Sequence, residues 1–225
     1  MSQIYLVRHG QASLGKANYD QLSPLGEQQA FVLGEYLKQL DVNPELILTG
    51  TLKRHLQTSA QIQMGLNLGH NSIEQDALSH WNEFDFETLI QSYLAGLGSD
   101  APKPKTPSEF FSALRSALLA WSNNAIDTEL PETWDAFAER TLAALNDLKA
   151  RKEKTIIVVS SGGAISMVLK HIMQLKNEMM VDLNLQSRNT GVTELFTKRD
   201  RCYVSTINHV SHLSSAKNKA MITHA

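Results

Sequence analysis

The segment at 155–160 restricts the possible folds of this chain more than any other part of it. Its apolar residues, Ile156 to Val159, run without polar interruption. Such a run predicts a strand buried on both faces, as in the middle of a parallel sheet. Gly162-Gly163 and an apolar helix at about 164–175 follow directly. A sheet built of such strand–turn–helix units needs a helical layer on each face, so the chain is predicted to be an α/β protein.

The N-terminal part of the chain repeats this order of elements. A strand predicted at 3–7 ends in Arg8-His9-Gly10, and Ser23-Pro24 supplies an N-cap and a first residue for a helix that reaches about Leu40. The next predicted elements are a strand at 46–49, a helix at about 52–66 and a third strand at 77–81. Near the C-terminus, strands at 193–197 and 203–207 are predicted to form a hairpin through 198–200.

The region at about 84–151 has a different character, because its apolar residues recur at helical spacing and it contains no strand pattern. A polar, proline-rich segment at 98–107 is predicted to be a loop, at the edge of a lid or as a plain connector. We therefore expect one domain at 1–225. Its predicted fold is a three-layer α/β/α arrangement with a mostly parallel, doubly wound sheet, and 84–151 is its helical insertion, acting as a lid.

Composition excludes several classes of partner. The 225 residues include 21 Lys and Arg against 23 Asp and Glu, a formal net charge of −2, so no nucleic-acid partner is expected. Cys202 is the only cysteine, which excludes an intrachain disulfide and a multi-cysteine metal site. Neither a metal nor a cofactor is expected.

No apolar run approaches the roughly 18 residues of a membrane span, so we expect a cytoplasmic protein without a membrane partner. Its oligomeric state is left open.

Polar residues stand at the ends of three predicted strands, and such ends meet in one crevice of a doubly wound sheet. They are Arg8-His9-Gly10, Thr49-Gly50 with Arg54 beyond it, and Ser160 to Gly163. Together with further motifs, they resemble the histidine phosphatase superfamily, whose members are phosphoglycerate-mutase-like enzymes. The resemblance covers nearly the whole chain: besides the strand ends it rests on Leu22 to Gly26 with Gln29-Ala30, Leu52 to Thr58, Glu83, Asn189 to Leu195 and Asn208 to Leu213.

The resemblance implies that His9 attacks phosphorus and becomes a phosphohistidine, and that Arg8 and Arg54 hold the phosphoryl group. Elementary chemistry agrees, because forked guanidinium groups bind two phosphate oxygens at once. A neutral histidine can attack if a carbonyl holds its other N–H group. Glu83 is the expected general acid, with Asp85 and Glu87 as competitors. The expected phosphate-binding residues are Arg8, Gly10, Ser13, Arg54, Ser161 and Gly162.

The sequence departs from the family pattern at Ser161. Family members usually carry a second histidine there, in contact with the transferred phosphoryl group. Ser161 and the N-terminus of the following helix can still bind an anion, but a neutral donor stabilises transition-state charge less, so reduced activity is expected. Three other histidines could fold back to take its place, but each is better explained as structural or exposed: His80, His209 and His212.

The expected function is a metal-independent phosphatase acting on a small phosphomonoester, whose identity the sequence does not reveal. One alternative is a phospho-ligand-binding or regulatory protein on a phosphatase scaffold with weak or no turnover. The other alternative is a phosphoglycerate mutase, although Leu14-Gly15 stands where such mutases usually have Trp-Asn. A Ser161→His variant is expected to gain rate in an enzyme that merely lacks one donor, and to stay inert in a binding protein.

Overall fold

A mixed β-sheet forms the middle layer of the molecule. The computed structural model describes residues 1–13, 20–68, 74–98 and 104–224. Within these ranges the strands are β1 (Ser2–Arg8), β2 (Leu46–Thr49), β3 (Glu74–Ala77), β4 (Thr155–Ser160), β5 (Val192–Lys198) and β6 (Arg201–His209). Their order in the sheet is β3-β2-β4-β1-β5-β6. The pairs β3–β2, β2–β4 and β4–β1 are parallel, whereas β5 and β6 add an antiparallel edge.

Helices cover both faces of this sheet. In the described ranges they are α1 (Pro24–Gln39), α2 (Lys53–Leu66), α3 (Phe86–Gly96), α4 (Pro107–Ser122), α5 (Trp134–Ala150), α6 (Gly162–Met173) and α7 (Asn177–Leu185). Three short 3-10 helices lie at Ser79–Trp81, Ser211–Leu213 and Lys219–Met221. None of the described helices is long and apolar enough to cross a membrane.

Side chains of the central strands alternate between two separate apolar cores, as the period of a strand requires. Ile4 and Leu6 of β1 face a core built with α5 and α6, whereas Tyr5 and Val7 face the core of α1 and α2. In β4, even-numbered and odd-numbered residues divide in the same way. The predicted α/β fold with a mostly parallel sheet, and a β4 buried on both faces, is therefore confirmed.

The predicted insertion at 84–151 contains α3, α4 and α5, and these helices differ in what they cover. A third apolar cluster joins Phe84, Leu118 and Trp121 to Phe137 near the start of α5, and it extends to α6 and α7. The second half of α5 instead packs on the sheet through Ala144, Leu145 and Leu148. As a result, α5 is also part of the helical layer on this face. That 84–151 acts as a lid stays a prediction.

Two predicted boundaries change. The third strand is β3, Glu74–Ala77, and the prediction at 77–81 was wrong for residues 79–81, which form a 3-10 turn. Polar residues such as Gln75 and Asp76 dominate this edge strand, so its sequence lacks the apolar signal of the inner strands. Of the predicted loop at 98–107, residues 99–103 lie outside the described residues. Thr106 then caps α4 in a capping box with Glu109.

The closest backbone approach between α1 and α2 occurs at two buried glycines. A Cβ atom on Gly34 would lie 2.3 Å from the Ile62 carbonyl oxygen and 2.8 Å from Gly65 Cα. Real Cβ atoms do not approach a backbone oxygen so closely, so even a methyl group would push the helices apart. The residue pair therefore fixes how tightly α2, which carries Arg54, lies against the rest of the protein.

We expect Gly34→Ala to lower the free energy of unfolding by about 1–3 kcal/mol, because the two helices must separate to admit the methyl group. Gly96, in the last turn of α3, has open space around the same position. Gly96→Ala should be neutral or slightly stabilising, since alanine favours a helix over glycine. Urea unfolding of both variants measures the difference, and equal effects would contradict this account of Gly34.

Candidate functional site

The parallel pairing of β1 with β4 brings the first and third predicted strand ends together. Arg8 is in register with Ser160, so the residues that follow, His9 and Ser161, leave the sheet side by side. The backbone N–H of His9 donates to the Ser160 carbonyl oxygen at 2.8 Å, which extends the strand pairing by one residue. The site is thus built at the carboxyl ends of adjacent parallel strands, where ligands bind in such sheets.

His9 is buried, with 4% of its surface exposed, and its ring orientation is fixed. Its Nδ1 atom lies 2.7 Å from the Gly10 carbonyl oxygen. Because a carbonyl oxygen only accepts, Nδ1 carries the hydrogen and Nε2 keeps its lone pair. Burial, and next the charges of Arg54 and Arg8, hold the pKa of His9 well below its usual 6.5, although the Gly10 carbonyl opposes this shift. The ring is therefore neutral at neutral pH, with Nε2 nucleophilic.

Two arginines flank this ring, and each is anchored to the protein. Arg54 is the second residue of α2, is 6% exposed, and donates from Nη1 to Asp20 Oδ1 at 2.9 Å. Arg8 donates from Nη1 to the Ser187 carbonyl oxygen at 2.5 Å and to the His224 carbonyl oxygen at 2.6 Å. Both guanidinium groups are close enough to lower the pKa of His9, so the site has the positive charge that a phosphoryl group requires.

Glu83 lies beside the end of β4, at the N-terminus of α6. The Ser160 hydroxyl donates to the Trp81 carbonyl oxygen at 2.6 Å, which ties the segment before Glu83 to the end of the strand. Glu83 Oε2 accepts the Gly163 backbone N–H at 3.0 Å. This approach depends on glycine, because a Cβ atom on Gly163 would lie 2.1 Å from Glu83 Oε1. The carboxyl group thus caps the N-terminus of α6.

Desolvation by burial raises the pKa of Glu83 above its usual 4.5, even though the Gly163 N–H and the charges of Arg54 and Arg8 oppose the shift. A carboxyl group with a raised pKa keeps its proton to higher pH, as a general acid must. Neither competitor has this environment. Asp85 is exposed and caps α3 by accepting from the Thr88 backbone and hydroxyl groups, and Glu87 is exposed in the first turn of that helix.

The other predicted phosphate-binding residues fall into two groups. Gly162 opens α6 directly after Ser161, next to the carboxyl group of Glu83. Gly10 and Ser13 instead have donors committed to the protein: the Gly10 N–H donates to Thr58 Oγ1 at 3.1 Å, and the Ser13 hydroxyl donates to the Leu22 carbonyl oxygen at 3.0 Å. Their phosphate-binding roles stay predictions.

A histidine that the sequence reasoning did not single out lies at the centre of the site. His55, the residue after Arg54, is completely buried; its Nε2 lies 2.7 Å from Ser161 Oγ, and its ring centroid lies 5.6 Å from that of His9. Burial, and next the charge of Arg54, hold its pKa well below 6.5. The available signal was its position on the face of α2 that buries Arg54, Thr58 and Ser59, since a histidine on a buried helix face needs a partner.

The structure places His80, His209 and His212 at positions that differ from one another. His80 is exposed, and His209 pairs with Glu194 at 3.1 Å. His212 is buried against the Thr190 hydroxyl at 2.9 Å, and burial lowers its pKa to about 3. Their interpretation as structural or exposed residues agrees with these positions.

Residues near the C-terminus are connected to the backbone of His9 by hydrogen bonds. No pattern in the sequence indicates this connection. Gln29 Nε2 donates to the Met221 carbonyl oxygen at 2.6 Å, and the Thr223 hydroxyl donates to Asn189 Oδ1 at 2.8 Å. Asn189 in turn donates from Nδ2 to the His9 carbonyl oxygen at 3.3 Å. Beside this tail is a pocket of about 350 Å³, which Arg8 and Gly162 line together with α6, α7 and the end of β6.

The arrangement contains a neutral histidine, flanking guanidinium groups and a carboxyl group with a raised pKa. Such a set can transfer a phosphoryl group to nitrogen and pass a proton to a leaving oxygen. In the described part of the chain, no cluster of three or more His, Cys, Asp or Glu residues has the geometry of a metal site.

Comparison with known proteins identifies the family of this chain. The profile of the histidine phosphatase superfamily, branch 1, matches residues 4–210, and the chain belongs to this superfamily. A relative described as putative phosphoserine phosphatase 2, from Hydrogenobacter thermophilus, is 22% identical over 94% of this chain and 98% of its own length. Phosphoglycerate mutase 1 of Saccharomyces cerevisiae is 24% identical over 87% of each chain.

A solved structure shows the same fold. It is a variant of phosphoserine phosphatase from Entamoeba histolytica in complex with phosphoserine. The TM-score is 0.63 at 21% identity, and the match covers 95% of this chain and all of the other.

We expect Glu83→Gln to raise the free energy of unfolding at pH 7. Because the pKa of Glu83 is higher in the folded protein than in the unfolded chain, the wild type loses stability as pH rises from the usual 4.5 through the raised folded value. The amide cannot ionise and still accepts the Gly163 N–H, so the advantage of the variant should disappear at or below pH 4.5. Urea unfolding of both proteins between pH 4 and 8 measures this, and a difference independent of pH would contradict it.

Proposed function

We propose that this protein is a phosphatase that hydrolyses a small phosphomonoester through a phosphohistidine on His9. The observation that carries the proposal is the hydrogen bond from His9 Nδ1 to the Gly10 carbonyl oxygen. This bond holds the hydrogen on Nδ1, and the lowered pKa keeps Nε2 unprotonated. A buried histidine with this tautomer and this charge state is prepared to attack phosphorus.

In the first step, Nε2 of His9 bonds to phosphorus while the bond from phosphorus to the leaving oxygen breaks. The proton of the Glu83 carboxyl group goes to that oxygen, which leaves as an alcohol. In the second step, the Glu83 carboxylate takes a proton from water, the water oxygen bonds to phosphorus, and the nitrogen–phosphorus bond breaks. The raised pKa of Glu83 supports its use as both acid and base.

Arg8 and Arg54 hold the phosphoryl oxygens in both steps. Charge on a phosphoryl group in transfer is spread over three equatorial oxygens, and fixed cations stabilise it without reorganisation. Arg54 is nearly buried and held by Asp20, and Arg8 is held by Ser187 and His224, so each guanidinium group is prepositioned. The N-terminus of α6 at Gly162 adds a positive dipole end.

The substrate class rests on the relatives. The Hydrogenobacter protein is described as a putative phosphoserine phosphatase, and the Entamoeba structure contains phosphoserine. Both point to a small phosphorylated metabolite for this chain, and no metal is proposed. Phosphoglycerate mutases are also among the relatives, so the test must separate transfer to water from transfer to a second hydroxyl.

The wild-type protein should release phosphate from p-nitrophenyl phosphate and from one or more members of a panel that includes phosphoserine and 3-phosphoglycerate, in the presence of EDTA. His9→Ala should lower kcat/KM by about 1,000-fold or more, because the nucleophile is lost. Glu83→Gln should lower kcat by about 100-fold or more, because the leaving oxygen is no longer protonated. A phosphohistidine should be trapped on the wild type by alkaline quenching and detected by ³¹P NMR.

The panel also distinguishes the alternatives. Conversion of 3-phosphoglycerate to 2-phosphoglycerate faster than phosphate release would identify a mutase and overturn the phosphatase proposal. Wild-type rates equal to those of His9→Ala, together with retained orthophosphate binding, would identify a phospho-ligand-binding protein. His171→Ala, at the opposite end of α6 from the site, is the matched control and should keep wild-type rates.

A further inference from the structure

The hydroxyl group of Ser161 does not have the role that its position in the helix suggests. Ser161 is the N-cap of α6, and an N-cap serine usually accepts a backbone N–H from the first turn. Here its side chain makes no capping hydrogen bond, and Glu83 accepts the Gly163 N–H instead. The Ser161 hydroxyl is turned to His55 Nε2, at 2.7 Å. The hydrogen bond therefore joins the start of α6 to α2.

His55 occupies space that the local sequence keeps open for it. A Cβ atom on Gly50 would lie 2.1 Å from His55 Nδ1, so any residue larger than glycine at position 50 would displace the ring. The ring is completely buried beside His9, and its Nδ1 has no hydrogen-bond partner among the described residues. A buried imidazole that leaves one nitrogen unsatisfied is costly for a side chain that only fills space.

The tautomer of His55 sets the direction of this hydrogen bond. A hydrogen on Nδ1 would be a buried N–H group without an acceptor among the described residues, and such groups are rarer in proteins than unpaired acceptors, so we assign the hydrogen to Nε2. Nε2 then donates to Ser161 Oγ, which leaves the hydroxyl hydrogen unused by this bond. Elsewhere in the described structure, Ser161 Oγ has no other hydrogen-bond partner. Ser161 and His9 directly follow paired residues of adjacent strands, and the ring of His55, the partner of Ser161, lies 5.6 Å from that of His9. The hydroxyl is therefore at the same end of the sheet as His9, where a phosphoryl group on Nε2 would be bound.

We propose that His55 and Ser161 form one paired donor, in which the His55 imidazole turns the Ser161 hydroxyl hydrogen toward a phosphoryl oxygen at His9. In the family pattern, a single histidine at the end of this strand contacts the transferred phosphoryl group. Here His55 of α2 and Ser161 at the end of β4 would provide that contact together. His55 is a positioning residue that acts through Ser161, and the proposal rests on the proposed function of the site.

The pair reverses the sequence-based expectation for Ser161→His. A histidine at position 161 would meet the His55 ring, since the Ser161 Oγ is already at hydrogen-bond distance from it. Ser161→His alone should therefore lose rate. The substitution should help only when His55 is replaced by a small residue, because the new ring then enters the space that His55 vacates.

The test compares His55→Ala, Ser161→His and the double variant, with His171→Ala as the control for loss of a histidine. We expect each single variant to lower kcat for p-nitrophenyl phosphate by about 10- to 100-fold with little change in KM, because the donor acts mainly in the transition state. The double variant should return to within about fivefold of the wild type. Inhibition by orthovanadate, which mimics the five-coordinate phosphorus, should follow the same order.

Full activity of His55→Ala, or a double variant no better than its weaker parent, would overturn the pair and leave the phosphatase proposal intact. If the wild type hydrolyses nothing, the proposed function fails. The affinity for orthovanadate, measured by calorimetry, still tests the pair: it should fall in each single variant and recover in the double variant. If His55→Ala does not fold, Ser161→Ala serves in its place, because it removes the donating hydroxyl group of the pair without leaving a cavity beside α2. It should show the same loss in kcat, and unchanged kcat would overturn the proposal.

Discussion

The register between β1 and β4 is the constraint on which the site depends. Pairing of Arg8 with Ser160 sets the two strand ends level, so that His9 and Ser161 leave the sheet together. A shift by one residue would turn every side chain of β1 to the opposite face and exchange its two apolar cores. Ile4 and Leu6 are packed in one core and Tyr5 and Val7 in the other, so packing on both faces of the sheet holds the register that aligns the functional groups.

Burial produces opposite effects on the two kinds of titratable group in the site. It disfavours whichever form is charged, so it lowers the pKa of His9 and His55 and raises the pKa of Glu83. The nearby arginines strengthen the first effect and oppose the second. One buried, positively charged environment thus lowers the pKa of the imidazoles while the pKa of the carboxyl group stays raised, and a bound dianion would relieve the excess positive charge.

Much of the fold and part of the site could be predicted from the sequence, because the relevant signals are local. The apolar run of β4 and the cap at Ser23 depend on neighbouring residues alone. Strand ends in a parallel sheet also share one edge, which is why His9, Arg54 and Ser161 could be grouped. The structure brings these three together, with Glu83 beside them.

The remaining features arise from contacts between distant parts of the chain. The role of His55 depends on Ser161, 106 residues further along. The C-terminal tail meets Gln29 and Asn189 through backbone carbonyl and hydroxyl groups, for which no residue pattern exists. The polar edge strand β3 and the short helix α7, which buries only Met180 and Val181, lack the periodic apolar signal that marks the longer elements.

The missing side chain at Gly50 has a consequence for how such a site can change over generations. While His55 is present, position 50 can hold only glycine, and the side chain at position 161 shares its space with the His55 ring. A lineage that lost His55 would lose the nearest atom that restricts position 50, and a larger residue could be fixed there if Asn82, whose Oδ1 would lie 2.7 Å from a Cβ atom, also shifted. Such a residue would fill the vacated space. Restoring the histidine would afterwards require two coordinated substitutions, so the location of the imidazole becomes fixed by history as well as by chemistry.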